Sequence, residues 1–147
     1  MNERDGVPTP VKRIHHVAFA HPTDRPLHPA LEQLLGLTAS HTEATDGFTE
    51  RMIPVGDGYL QSLEATGDGV IQRFVDRRGA ALHHVAFEVD DVAATVDRLR
   101  QAGVRVIDEQ PRPGGMNTTI AFIHPSEFAG MLVELVEVDT TTEEPIP

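Results

Sequence analysis

His15-His-Val-Ala-Phe19 recurs unchanged as His83-His-Val-Ala-Phe87, and this repeat decides the fold. Four of the chain's eight histidines sit in the two copies. The punctuation that follows each copy also matches. An amphipathic stretch ends at Leu35-Gly36-Leu37 and is followed, further on, by Tyr59-Leu-Gln61-Ser-Leu63. A second amphipathic stretch ends at Ala102-Gly103-Val104 and is followed by Met131-Leu-Val-Glu134-Leu135. Matched halves with one histidine-bearing strand each predict a duplicated unit that builds a single site.

Working outward, Ile14–Ala20 alternates as a strand, with His16, Ala18 and Ala20 on one face and His15, Val17 and Phe19 on the other. A helix is expected from Pro26 to Leu35, with Leu27, Leu31, Leu34 and Leu35 at helical spacing and Gly36 closing it. Strands follow at Leu37–Glu43, Phe48–Pro54 and Gly58–Ala65, separated by Asp46-Gly47 and Gly56-Asp57-Gly58. A helix from Val70 to Arg77 bridges the halves. The second half repeats the order: strand Leu82–Val89, helix Asp91–Ala102, then strands Val104–Asp108, Thr118–His124 and Met131–Val138, with a Pro/Gly loop over 112–117. The expected class is α+β: duplicated βαβββ modules forming a curved mixed β-sheet cavity with helices outside. One domain is expected over 13–138, with halves at about 13–67 and 81–138 and a linker helix at about 68–80. A loose arm at 1–12 and a frayed tail at 139–147 flank it.

Composition narrows the function. The 147 residues suit one domain, and no apolar run reaches the roughly 18 residues a membrane helix needs. The first twelve residues are polar and unlike a signal peptide, so a cytoplasmic protein is expected. With 23 acidic against 12 basic residues the net charge is −11, which argues against nucleic acid and anionic membranes as partners. Zero cysteines exclude disulfides and thiolate ligands, leaving N and O donors for any metal.

Such donors stand on the first and last strand of each half: His16, Gln61, His84 and Glu134. Two imidazoles, an amide oxygen and a carboxylate form a hard to borderline set suited to one divalent ion: Co²⁺, Mn²⁺, Ni²⁺ or Mg²⁺, with Zn²⁺ possible. Ala18 and Ala86, two residues beyond the histidines, leave room for a bound substrate. His15 and His83 share parity with Val17, Phe19, Val85 and Phe87 and are expected to be structural. His21, His28 and His41 are given no role.

The βαβββ duplication with His, Gln, His and Glu on its strands resembles the vicinal oxygen chelate superfamily, which includes glyoxalases, extradiol dioxygenases and fosfomycin-resistance proteins. Within it the second half is most similar to the methylmalonyl-CoA epimerases. The runs that carry this are Phe74-Val-Asp-Arg-Arg-Gly79, Leu82-His-His-Val-Ala-Phe-Glu-Val-Asp-Asp91, Gly103-Val-Arg-Val-Ile-Asp-Glu-Gln-Pro111, Ile120-Ala-Phe-Ile-His-Pro125 and Gly130-Met-Leu-Val-Glu-Leu135. The first half matches through Ile14-His-His-Val-Ala18, Leu35-Gly-Leu37, Gly47-Phe-Thr-Glu50 and Leu60-Gln61. The resemblance implies that His16, Gln61, His84 and Glu134 hold the metal. It further implies that Glu50 is a catalytic base, with Glu134 or a water as its opposite partner, and that Gly114 and Gly115 lie where substrate is handled.

The implied activity interconverts (2R)- and (2S)-methylmalonyl-CoA, or a related 2-substituted malonyl thioester, by proton transfer through a metal-stabilised enolate. An acyl-CoA-type substrate and a homodimer follow from the same resemblance. A glyoxalase-like lyase or isomerase and a small-molecule-binding member of the superfamily are the alternatives. The segment Pro113-Gly-Gly-Met-Asn-Thr-Thr119 departs from the family, with Thr119 where an arginine is expected.

Overall fold

Residues 11–140 are described by the structure, a computed structural model. The expected arm at 1–12 and tail at 139–147 fall largely outside these residues. Eight strands form one mixed sheet in the order β2-β3-β4-β1-β5-β8-β7-β6, with three helices. In each half the first strand neighbours the last, which is the arrangement the repeat requires. By compactness the described chain divides into His15–Val85 and the segments on either side of it, ending at Ile14 and resuming at Ala86.

Within 15–85, β1 (Arg13–Pro22) runs parallel to β4 (Gly58–Ala65). β2 (His41–Thr45), β3 (Phe48–Val55) and β4 form an antiparallel meander. Its first hairpin turns at Asp46-Gly47. Gly47 has φ +92°, and a Cβ there would sit 2.6 Å from the Asp68 carbonyl oxygen, so both backbone angle and space demand glycine. This hairpin fixes Thr45 opposite Phe48, so pairing covers 41–45 and not the expected 37–43.

Two helices flank this meander with unequal packing. α2 (Val70–Arg78) buries Ile71 and Phe74 against Ala18, Ala20, Leu63 and Ala65. α1 (His28–Leu35) buries nothing, and Leu34 and Leu35 are 79% and 69% exposed despite their helical spacing. Pro29 occupies its first turn, where no amide bond is lost, so the helix starts late and makes little more than two turns. Gly36, at φ 69°, stops it.

From 86 onward, β5 (Ala81–Glu88, entering from the other unit) leads into α3 (Val92–Gln101). Asp91 caps α3 by accepting from the Ala94 amide at 3.0 Å. α3 packs Val92 and Val96 onto Ala121, Ile123, Val133 and Leu135. Both valines are essentially inaccessible, and burial of each contributes about 1.5–3 kcal/mol. β7 (Thr118–Ile123) pairs antiparallel with β8 (Val133–Val138), while β6 (Arg112–Pro113) is a two-residue edge within the expected loop.

The strand expected over 104–108 reduces to a single bridge, Val106 to Ile123. The Asp108 carboxylate takes the Phe122 amide at 2.8 Å, replacing a ladder bond with a side-chain bond.

Candidate metal and proton-transfer site

His16 and His84 are buried, at 5% and 6% exposure, and their Nε2 atoms stand 3.1 Å apart. Burial, followed by the proximity of His15, holds the His16 imidazole down at about 3. His84 is also held well below the usual range, through burial first and then His16 and His83. Both rings are therefore neutral at ordinary pH, the state in which an imidazole offers a lone pair to a metal. Glu134 is buried on β8 opposite Phe122. Each of the three offers one atom of a kind that could hold a metal ion.

Gln61 sits on β4, paired with Ala18 of β1 and Met52 of β3. Its Oε1 is buried without a hydrogen-bond partner, a state that few native polar atoms occupy. Its amide nitrogen is engaged by donating to the Glu50 carboxylate. Glu50 lies opposite Leu63, two pairs along from Met52–Gln61, so antiparallel pairing puts both side chains on one face. Burial raises the Glu50 carboxyl above its ordinary value; the Gln61 hydrogen bond opposes the shift, and the Glu43 carboxylate adds to it.

The donor types suit a divalent ion. Two nitrogens bound to one ion at about 2.1 Å each stand about 3 Å apart as adjacent ligands, which matches His16 and His84. Unpartnered Oε1 of Gln61 is a ready oxygen donor, and Glu134 supplies the anionic one.

The remaining expected residues have plainer surroundings. Ala18 is fully buried in the apolar cluster with Ile71 and Phe74, and Ala86 in another with Ile120 and Val136. Gly114 and Gly115 lie in the turn before β7. The Gly114 amide donates to Thr118 O at 2.9 Å, and a Cβ there would come within 2.7 Å of Ile120 Cγ2. Close packing therefore already accounts for that glycine.

Two features escaped the sequence reading. His15 and His83, read as structural, each touch the Nδ1 of the following histidine at 2.7 Å. The repeated dipeptide itself was the available signal. His21, given no role, is fully buried at the end of β1, hydrogen-bonded through Nε2 to Ser62 Oγ at 2.6 Å.

The family model for the glyoxalase/bleomycin resistance protein/dioxygenase superfamily matches residues 15–122. The chain belongs to this superfamily. An ethylmalonyl-CoA/methylmalonyl-CoA epimerase of Cereibacter sphaeroides is 33% identical over 133 residues, covering 87% of this chain and 99% of the relative. The crystal structure of methylmalonyl-CoA epimerase from Mycobacterium tuberculosis superposes with TM-score 0.82 at 32% identity, over 89% of this chain and 91% of that one. A variant of the Streptomyces coelicolor methylmalonyl-CoA epimerase, in complex with 2-nitronate-propionyl-CoA, gives TM-score 0.80 at 33% identity, over 92% and 100%. The α+β fold of duplicated βαβββ modules is that of this superfamily. Among the described residues no helix is long and apolar enough to cross a membrane.

Proposed function

We propose that this superfamily member is a divalent-metal-dependent epimerase of 2-substituted malonyl thioesters, with methylmalonyl-CoA as the reference substrate. One observation carries the reading beyond family likeness. A buried carboxylate, Glu50, is held by the amide of Gln61, whose own oxygen is left unpartnered on the strand paired with β1, which carries His16. A bound ion supplies a Lewis acid for the thioester carbonyl and malonyl carboxylate oxygens.

His16, Gln61, His84 and Glu134 hold that ion. Glu50 takes the proton from Cα. Its raised affinity for protons brings it closer to a neutral working pH than an ordinary glutamate, which suits a general base. Gln61 aims the Glu50 carboxylate and restrains its protonation. Glu134, the second carboxylate of the set, faces the opposite proton transfer, directly or through water. Gly114 and Gly115 line the thioester's approach. The same reading makes 13–138 one domain of two halves and the working protein a cytoplasmic homodimer, by analogy with the superfamily.

Deuterium exchange in D₂O tests the proposal. Metal-reconstituted protein and (2S)-methylmalonyl-CoA should give α-deuterium incorporation with inversion, and Glu50→Gln should lose it while still binding metal. Metal-bound protein that exchanges no α-proton would refute the substrate assignment.

A further inference from the structure

Two contacts outside the ligand set have the same form. Nδ1 of His15 lies 2.7 Å from Nδ1 of His16, with ring centroids 5.0 Å apart and planes at 76°. Nδ1 of His83 lies 2.7 Å from Nδ1 of His84, with centroids again 5.0 Å apart and planes at 77°. Neighbours on a strand point to opposite faces, so they meet only through the ring nitrogen nearest the main chain. Both copies of the repeat adopt that solution.

We propose that His15 and His83 are positioning residues, each accepting the Nδ1 proton of the histidine that follows and so turning the Nε2 lone pairs of His16 and His84 toward one ion. The inference rests on the metal-dependent reading above. Proton counting forces the direction of the bond. A nitrogen-to-nitrogen hydrogen bond holds one proton, and a neutral histidine that ligates through Nε2 carries its proton on Nδ1. His16 and His84 must then donate. His15 and His83 accept at Nδ1 and keep their own protons on Nε2.

The outer rings are themselves held. The His15 ring lies 5.5 Å from that of Tyr59. The His83 ring stands edge-on to Phe74 at 4.8 Å, with the Arg78 guanidinium 5.8 Å from the Phe74 ring centre.

The choice of acceptor has a chemical effect. Metal-bound histidines usually donate to a carboxylate, a backbone carbonyl or water, and an anionic acceptor makes the ligand more basic. A neutral imidazole fixes tautomer and angle without adding negative charge beside the ion. The ion then stays a stronger Lewis acid, and Glu134 remains the anionic ligand of the group.

Co²⁺ affinity of the purified full chain, measured by chelator competition, tests this on wild type, His15→Leu, His83→Leu, His15→Asn and His83→Asn. Loss of such a partner costs about 10- to 100-fold in metal affinity. The leucine variants should show that loss, and the asparagine variants, which keep an acceptor oxygen near the former Nδ1, should stay within several-fold of wild type. In ¹⁵N-labelled Zn²⁺-loaded wild type, scalar coupling across each Nδ1–H···Nδ1 bond should link His15 to His16 and His83 to His84, a readout independent of any variant's folding. Leucine variants that bind as tightly as wild type, asparagine variants as weak as leucine, or absent coupling would each overturn the proposal. Wild type that binds no Co²⁺ would instead remove the metal reading, and this inference with it.

Discussion

The hairpin of β3 and β4 and the hairpin of β7 and β8 occupy matching places in the duplication, yet they carry different chemistry. Gln61 stands opposite Met52, and Glu134 opposite Phe122. Two pairs further along, on the same face, Glu50 stands opposite Leu63 in the first hairpin, while Ile120 stands opposite Val136 in the second. The ligand-capable position survives in both halves. The position proposed for the base carries a carboxylate in the first half only. Ile120 instead completes an apolar cluster with Ala86 and Val136. On the proposed reading, duplication retains ligand-capable side chains in both halves and a base in one, which leaves Glu134 as the second half's carboxylate for both ligation and proton transfer.

Breaking the asymmetry at Glu50 should have the largest effect. Glu50→Gln should lower kcat by about 10²- to 10⁴-fold, read as the α-proton exchange rate, with metal affinity retained. In the active protein the acidic limb of the pH–rate profile should lie above the ordinary carboxylate range, because Glu50 must be deprotonated and burial raises it.

Acid should affect the two halves' histidines alike. His16 is held at about 3 in the folded chain and His84 well below its usual value, whereas both return to about 6.5 on unfolding. The unfolded state therefore binds more protons as pH falls from about 6.5 toward 3, and metal-free protein loses stability across that window. The slope is on the order of 1.4 kcal/mol per pH unit for each histidine. Thermal melts of the metal-free chain at stepped pH measure it; a flat Tm from pH 7 to 4 would contradict the neutral pair.

Smaller effects sharpen the contrast in packing. Val96→Ala on α3 should cost about 2 kcal/mol in denaturant unfolding. Ile120→Val should cost about 0.5–1.5 kcal/mol and leave the exchange chemistry unchanged, since that position carries no proton. Leu34→Ala on α1, whose side chain is largely exposed, should fall within about 0.5 kcal/mol.

Much of this was legible in the sequence because strand chemistry has period two. The repeat placed His16 and His84, and the matched last strands placed Gln61 and Glu134. Asp91 and the glycines at 36 and 103 marked where helices start and stop. What stayed hidden depends on distances that periodicity does not encode. Leucines spaced for a helix could not reveal that α1 is too short to bring Leu34 and Leu35 inward. Apolar alternation over 104–108 could not reveal that Asp108 would take a ladder amide. Parity assigned His15 to the opposite face from His16, and said nothing of ring rotation about χ1 and χ2, which brings their nitrogens together.

Ala18, Ala20 and Ala86 are completely buried, whereas Val17 and Phe19 are only partly so. Each copy of the repeat presents two identical side chains in succession, and a slip of one residue would still offer an imidazole to the ligand set. Such a slip would also drive Val17 and Phe19 into the space two alanines fill, against Ile71 and Phe74. The alanines therefore work as a selector: the smallest side chains on the strand decide which of two adjacent histidines stands in the proposed ligand position.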